Sequence, residues 1–127
     1  MQATQPLVWG EIAVSDMARA IAFYQAQFGV SFRREDMDEM EYAILECEDN
    51  KAASIGLMKH PEFKPGSGGS CLYLHLADNL GPLVAKLEQN QVQIVMPPMG
   101  IKGGECGYIA LFIDSEGNTV GLWSPAL

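Results

Sequence analysis

The chain has 127 residues, a mass of 13.8 kDa, 48% hydrophobic residues and a formal net charge of −8 at pH 7. A chain of this length fits one domain with a self-sufficient hydrophobic core. The acidic balance, with a pI near 4.5, disfavours nucleic-acid binding, because affinity for DNA or RNA comes largely from neutralised phosphates. The apolar runs are shorter than the ~20 residues that cross a bilayer, and the first six residues lack the basic and apolar segments of a signal peptide. We therefore expect a cytoplasmic protein without membrane contact.

Two segments have the apolar periodicity of helices. The first has Ser15 or Asp16 as its N-cap and Gly29 in the left-handed position that ends it. The second begins at Asp78-Asn79 and carries Pro82 in its first turn. Their apolar stripes are Met17, Ala20, Ile21, Tyr24 and Phe28 in the first, and Leu80, Leu83, Val84 and Leu87 in the second. Each stripe predicts a helix that covers one side of a sheet.

The remaining apolar segments have the composition of strands. The predicted strands are Leu7–Val14, Ser31–Arg34, Tyr42–Cys47, Ala53–Met58, Cys71–Ala77, Val92–Met96, Gly107–Ile113 and Thr119–Ser124. A Pro/Gly-rich connector, His60–Ser70, separates the fourth strand from the fifth. The segment Asp114–Asn118 is typical of a hairpin turn, with Gly117 available for positive φ.

The order of these elements is strand, helix and three strands, and then the same order again. Val14-Ser15-Asp16 matches Leu76-Ala77-Asp78 at an offset of 62 residues. The pattern predicts one α+β domain of two tandem βαβββ modules, approximately residues 7–59 and 71–125. Two such sheets form a curved, half-open barrel with the helices on the convex side, so the concave side is the natural ligand site.

Eight carboxylates lie within fifteen residues that contain neither Lys nor Arg. They are Glu35, Asp36, Asp38, Glu39, Glu41, Glu46, Glu48 and Asp49. The favoured interpretation is a solvated hairpin or edge strand that charge protects from aggregation. The alternative is a negative rim that attracts cationic ligands. A calcium loop is disfavoured, because the segment lacks glycine and regularly spaced oxygen ligands.

The three cysteines, Cys47, Cys71 and Cys106, form no CxxC pair. An odd count without a secretory signal indicates reduced thiols. Each cysteine lies in or beside an apolar run, so we expect buried side chains that fill space in the core rather than nucleophiles.

Three segments carry a family resemblance. They are Trp9–Asp16 running into Arg19-Ala20, Phe23-Tyr24 and Phe28-Gly29; then Asp78 and Met96-Pro97-Pro98; then Asp114–Pro125. In this order they resemble the glyoxalase/bleomycin-resistance/extradiol-dioxygenase superfamily, also called vicinal oxygen chelate proteins. The last segment and the Phe-Tyr helix are most similar to the subgroup of predicted enzymes related to lactoylglutathione lyase.

The resemblance implies a divalent metal held by four side chains from the first and last strands of each module. The matching positions in this chain are Trp9, Gly56, Leu72 and Gly121. None of these side chains ligates a divalent cation, so we expect neither a metal nor another cofactor. His75 is expected to face the helices as a buried histidine, and His60 to lie exposed in the connector.

The resemblance places an apolar, aromatic pocket on the concave face where relatives bind metal. Its expected lining is Trp9, Glu11, Met58, Leu72, Leu74, Thr119 and Trp123, with room left by Gly56 and Gly121. The two tryptophans either stack a flat or cationic ligand, or fill the interior or a dimer contact. Glu11 is either a general acid/base or an anchor for a backbone amide.

Four glycines occur in the eight residues of Gly100–Gly107. The segment does not link a strand to a helix, so a phosphate-binding loop is excluded. A flexible flap over the mouth of the cavity and an ordinary hairpin loop both remain open.

Three classes of function follow. The favoured one is a metal-independent homodimer that binds or sequesters a neutral, aromatic or cationic small molecule, as the resemblance to the bleomycin-resistance branch implies. The second is an enzyme, either a glyoxalase-type lyase or a metal-independent isomerase with Glu11 as acid/base. The third is a structural or regulatory partner domain whose cleft is filled by side chains. The first is favoured because metal-assisted chemistry needs residues that hold the ion.

Overall fold

A computed structural model describes residues 2–3, 5–37, 39–49 and 51–127. Within these residues, two α-helices and eight strands follow the predicted order. The helices are α1 (Met17–Phe28) and α2 (Leu80–Gln89); the strands are β1 (Trp9–Ala13), β2 (Phe32–Arg34), β3 (Glu41–Leu45), β4 (Ser54–Lys59), β5 (Tyr73–Leu74), β6 (Ile94–Gly100), β7 (Tyr108–Ile113) and β8 (Thr119–Ser124). They form two four-stranded sheets, ordered β1-β4-β3-β2 and β5-β8-β7-β6. The predicted α+β architecture of two βαβββ modules is confirmed.

The first and last strands of each module lie side by side. In the first module β1 pairs with β4 in parallel, and Glu11 is level with Gly56. In the second module β5 pairs with β8 in parallel, and Tyr73 is level with Gly121. The other neighbouring strands are antiparallel. The two modules therefore place equivalent strand pairs at corresponding positions, with β1 and β5 each at one edge of its sheet.

One hydrophobic core joins the helices to one face of each sheet. Leu57 of β4 and Leu122 of β8 are fully buried in it. Phe112 of β7 contacts two residues of α1, with ring centroids 6.2 Å from Phe23 and 5.6 Å from Phe28. Helix α1 of the first module thus packs against a strand of the second, and both modules share its apolar stripe.

Helix α1 begins and ends as the sequence predicts. Asp16 is the N-cap, and its carboxylate accepts a hydrogen bond of 3.0 Å from the backbone N–H of Arg19. This bond satisfies one of the amide groups that a helix leaves unpaired in its first turn. Gly29 ends the helix with φ of 68°, the left-handed conformation that glycine adopts without a steric penalty.

Two strands of the second sheet differ in length from their predictions. Strand β5 pairs over only two residues, although Cys71–Ala77 has strand composition. Strand β6 runs on through Pro97 and Pro98 to Gly100, with irregular register. Proline lacks the N–H that a central strand donates, so it is tolerated here because β6 is the outer strand of its sheet.

The acidic segment forms a charged hairpin at the outer edge of the first sheet, as favoured from the sequence. Strand β2 is one edge strand of this sheet, and the segment runs from the end of β2 through β3 into the connection to β4. The guanidinium of Arg34 lies 2.9 Å from a carboxylate oxygen of Asp36 and 3.1 Å from one of Glu41. Asp38, one of the eight carboxylates, lies outside the described residues.

A buried carboxylate fastens the β7–β8 turn to the start of α1. Glu116 accepts hydrogen bonds from the backbone N–H groups of Ser15 and Asp16, at 2.8 and 2.9 Å. The Nε of Arg19 lies 2.7 Å from its second oxygen. Burial raises the pKa of Glu116, but the hydrogen bonds from Arg19, Asp16 and Ser15 outweigh burial and lower that pKa to about 2.

A second carboxylate organises the same turn from inside. Asp114 accepts hydrogen bonds of 2.9 Å from the backbone N–H groups of Glu116 and Asn118. The hydroxyl of Tyr24 donates to Asp114 Oδ2 at 2.7 Å. Burial and the nearby Asp114 charge raise the pKa of Tyr24. The predicted hairpin turn is confirmed, with Gly117 at φ of 84°.

Neither α1 nor α2, among the described residues, is long and apolar enough to span a membrane.

We expect Glu116→Gln to destabilise the protein and to change how its stability depends on pH. The native pKa lies below the ordinary value of 4.5, so the stabilisation is complete above about pH 4.5 and is lost as the pH falls towards 2. The shift corresponds to about 3 kcal/mol. Urea unfolding at pH 7 and pH 3 should therefore show a variant whose loss of stability relative to wild type is clearly smaller at pH 3 than at pH 7.

The matched control is Glu88→Gln, because Glu88 is exposed on α2 and its change should have little effect at either pH. An equal loss of stability at both pH values in Glu116→Gln would contradict this prediction.

Candidate functional site

Each sheet has a second face, opposite the core, which we call its open face. In β4, Ile55 and Leu57 belong to the core cluster, so Gly56 and Met58 lie on the open face. In β8, Val120 and Leu122 belong to the core cluster, so Thr119, Gly121 and Trp123 lie on the open face. The candidate site is built from these alternate positions.

Three of the predicted site residues share the open face of the first sheet. Trp9 and Glu11 alternate with the buried Ile12 in β1, and Met58 lies beside them in β4. Their exposure differs, since Trp9 is 61% exposed and Met58 only 4%. Trp9 therefore does not fill the interior of the described structure.

In both modules a tyrosine ring covers the glycine of the last strand. A Cβ atom at Gly56 would collide with the ring and hydroxyl of Tyr42. A Cβ atom at Gly121 would collide in the same way with the ring of Tyr73. The expectation from the sequence that the two glycines leave open space in the pocket is wrong. The tyrosine rings occupy that space, and the missing Cβ atoms allow them to lie against the strands.

Glu11 is held in the first sheet by one of these tyrosines. The hydroxyl of Tyr42 donates to Glu11 Oε2 at 2.9 Å. Burial, together with the hydrogen bond to this carboxylate, raises the pKa of Tyr42 to about 12. A carboxylate has about four acceptor positions, so Glu11 keeps acceptor capacity for a ligand.

In the second sheet, the residues that β5 presents on the open face differ from those predicted. Leu74 is level with the buried Leu122 and belongs to the core cluster, and Leu72 packs against that cluster. The expectation that Leu72 and Leu74 share the face of Trp123 is wrong. It came from aligning the two modules at Asp16 and Asp78, and the alternation of side chains in β5 is shifted by one residue from that alignment. Tyr73 holds the open-face position instead.

His75 also lies on the open face, so its expected burial against the helices is wrong. Its ring meets the indole of Trp123 edge to face, with centroids 5.0 Å apart. Its side chain is 51% exposed. The other histidine, His60, is half-buried rather than exposed, and its Nδ1 accepts a hydrogen bond from the backbone N–H of Glu62 at 3.0 Å.

The glycine-rich segment Gly100–Gly107 is the connection between β6 and β7, and it lies against Trp123. The indole Nε1 of Trp123 donates to the carbonyl oxygen of Cys106 at 2.9 Å. Together the segment and the open face form a recess of about 380 Å³ that is largely open to solvent, which we call the aromatic recess. It is lined by Tyr73, His75, Ile101, Ile109 and Trp123.

A smaller space, which we call the junction cavity, lies where the modules meet. Its volume is about 190 Å³, and Glu11, Leu72 and Thr119 are among its lining residues. The connector contributes Lys64 and Ser70. The structure thus brings three of the predicted site residues together here, separately from Trp123.

The expectation of buried cysteines is wrong, because Cys47, Cys71 and Cys106 are all exposed. They lie in strand-end and loop segments, where an apolar neighbour does not imply burial. Partial desolvation nevertheless raises the pKa of Cys71. A nucleophilic cysteine needs a lowered pKa, so Cys71 does not have the properties of one.

The residues present do not fit the divalent metal that the resemblance implies. The four matching positions carry two glycines, a tryptophan and a leucine, and a tyrosine ring lies over each glycine. Within residues 2–3, 5–37, 39–49 and 51–127, no group of three or more His, Cys, Asp or Glu side chains is placed to hold a metal ion. Glu11 is the one predicted site residue with a good metal donor.

Comparison with known proteins gives the same fold. The family model described as Glyoxalase/Bleomycin resistance protein/Dioxygenase superfamily matches residues 7–122. None of the curated proteins matches the chain significantly in sequence.

Solved structures with this fold include both enzymes and a binding protein. UcmS2 is 25% identical with a TM-score of 0.68, and the match covers 97% of this chain and 98% of that one. TnmS3, an antibiotic binding protein from Streptomyces sp. CB03234, is 23% identical with a TM-score of 0.73, covering 99% and 100%. The trypanothione-dependent glyoxalase I of Leishmania major is 19% identical with a TM-score of 0.71, covering 96% and 88%.

We expect Gly56→Ala to destabilise the protein by about 1–3 kcal/mol, as overpacking does. The added methyl group must displace Tyr42, which is buried and hydrogen-bonded to Glu11. Thermal or urea unfolding measures the effect. Gly66→Ala is the matched control, because a Cβ at Gly66 meets no atom within 4 Å. Equal, small effects of both changes would contradict the tyrosine-over-glycine packing.

Proposed function

We propose that this chain, which belongs to the glyoxalase/bleomycin resistance protein/dioxygenase superfamily, is a metal-independent protein that binds a small aromatic molecule. The observation that carries the proposal is the aromatic recess on the open face of the second sheet, with Trp123 in its wall. The ligand stacks on the accessible indole and is neutral or cationic.

The chemistry of the recess supports an aromatic ligand. Its volume of about 380 Å³ lies within the range of about 300–1,000 Å³ that is usual for small-molecule sites. Ile101 and Ile109 supply apolar contact, and Tyr73 and His75 flank the indole. The bond from Trp123 to Cys106 fixes the plane of the indole, so little side-chain entropy is lost on binding. The net charge of −8 favours cationic molecules over anionic ones.

Metal independence is supported by the donor set rather than by the fold. An antibiotic binding protein and glyoxalase I enzymes share this fold, so the fold alone does not distinguish binding from catalysis. In this chain the four positions that the resemblance assigns to metal ligands offer no good donor. The related antibiotic binding protein is the precedent for a binding role.

A homodimer is part of the proposal. Large apolar side chains are exposed along β1, β5 and β6 and in the two residues before β1, and these are Leu7, Val8, Trp9, Tyr73, Val95 and Met99. Exposed apolar surface of this kind is typical of protein or ligand contacts. A second copy that covers the open faces would also close the aromatic recess to solvent.

The alternative is a metal-independent isomerase or a lyase with Glu11 as acid/base. The observation in its favour is the hydrogen bond from Tyr42 to Glu11, which fixes the carboxylate on the open face. Proton transfer requires the carboxylate to lie within hydrogen-bond reach of the substrate. Binding is favoured over catalysis because the aromatic recess is centred on Trp123, whereas Glu11 lines the junction cavity.

We expect proflavine, a planar aromatic cation, to quench the fluorescence of Trp123 in a saturable way. The two tryptophans allow a matched pair of variants. Trp9→Phe leaves Trp123 as the only indole and should keep the quench, whereas Trp123→Phe should lose it. Calorimetry should show a loss of affinity of about tenfold or less in Trp123→Phe, since an aromatic contact contributes about 0.5–1.5 kcal/mol. Equal saturable quenching in both variants would place the ligand elsewhere.

Removal of metal should not change proflavine binding. We expect the same dissociation constant before and after dialysis against EDTA, because the open faces, as far as the structure describes them, lack a set of metal donors. The measurement is calorimetry, together with metal analysis of the purified protein. A stoichiometric bound metal, with loss of binding in EDTA and recovery on addition of Ni²⁺ or Zn²⁺, would favour the enzyme instead.

A further inference from the structure

The junction cavity has walls from both modules and from the connector between them. Ala13 of β1 and Asn118, which immediately precedes β8, both line it. The side chain of Asn118 donates to the carbonyl oxygen of Ala13 at 2.7 Å and accepts from the backbone N–H of Gly66 at 2.9 Å. One side chain therefore fixes all three walls, and the cavity is a preformed feature of the fold.

The size of the junction cavity limits its ligand. A volume of about 190 Å³ is below the usual range for drug-sized molecules. It holds about six water molecules at ~30 Å³ each. A ligand for this cavity has only a few non-hydrogen atoms.

The charged residues of the lining have opposite signs. Glu11 and Lys64 both line the cavity, and they form no ion pair with each other in the described part of the chain. Thr119 and Ser70 add hydroxyl groups. A molecule with a single charge would pair with one of the two charged residues, whereas a zwitterion would pair with both.

We propose that the junction cavity binds a small zwitterion, with its ammonium group at Glu11 and its carboxylate at Lys64. The hydroxyl groups of Thr119 and Ser70 complete the polar contacts. This site goes beyond the proposed function, since the aromatic recess and Trp123 take no part in it. Glu11 then has a binding role, and Tyr42 is a positioning residue that holds its carboxylate.

The test compares three probes by calorimetry, namely β-alanine as zwitterion, methylamine as the ammonium alone and acetate as the carboxylate alone. We expect saturable binding of β-alanine and at least about tenfold weaker binding of the other two, because each of them lacks one of the two hydrogen bonds between charged groups. No saturable binding of β-alanine at millimolar concentration, or equal binding of all three probes, would overturn the proposal.

Two variants locate the site. Glu11→Gln and Lys64→Met should each weaken β-alanine binding about tenfold or more. Glu88→Gln and Lys102→Met change exposed charges outside the cavity and should leave binding unchanged. Unchanged binding in both Glu11→Gln and Lys64→Met would overturn the proposal.

The same variants separate this proposal from the proposed function. Lys64→Met should leave the proflavine quench of Trp123 intact, and Trp123→Phe should leave β-alanine binding intact. A single change that abolished both would show one shared site and overturn the assignment of two.

Discussion

The structure depends on one constraint, which is that each sheet buries only one of its faces against the helices. Strand side chains alternate, so burial of Leu57 and Leu122 sends Gly56 and Gly121 to the opposite face. The two helices supply the common core that determines which face of each sheet is buried. The candidate functional residues on β1, β4 and β8 follow from it, because the open faces receive the strand side chains that the core does not.

The fold was predictable from the sequence because its signals are local. The stripe from Met17 to Phe28, the N-cap at Asp16 and the turn at Gly117 each specify an element without reference to the rest of the chain. The placement of β5 was not predictable in the same way. Only two of its residues pair with β8, so its leucines do not reveal which of them faces the core. A match at Asp78 that was displaced by one residue put Leu72 and Leu74 on the wrong face.

The sequence also gave no signal for the tyrosines that cover the glycines. Tyr42 lies fourteen residues before Gly56 in the chain, and their contact exists only because β3 and β4 pair in one register. His75 was misplaced for a related reason, since its neighbour Trp123 comes from β8. Contacts between distant segments depend on register, and register is set by the whole core. Trp9, Glu11 and Met58 were placed correctly on one face, because β1 and β4 pair without a shift in register and keep the two-residue repeat.

The outer edges of the sheets have a consequence for how copies of this chain meet. Strand β6 carries Pro97 and Pro98, which cannot donate to a further strand, and β2 carries Arg33 and Arg34 beside acidic partners. Both rims are thus protected against strand addition and fibril-like growth. The proposed homodimer would therefore use a broad surface rather than either of these two strand edges, and shape and side-chain chemistry at such a surface limit the number of molecules that join.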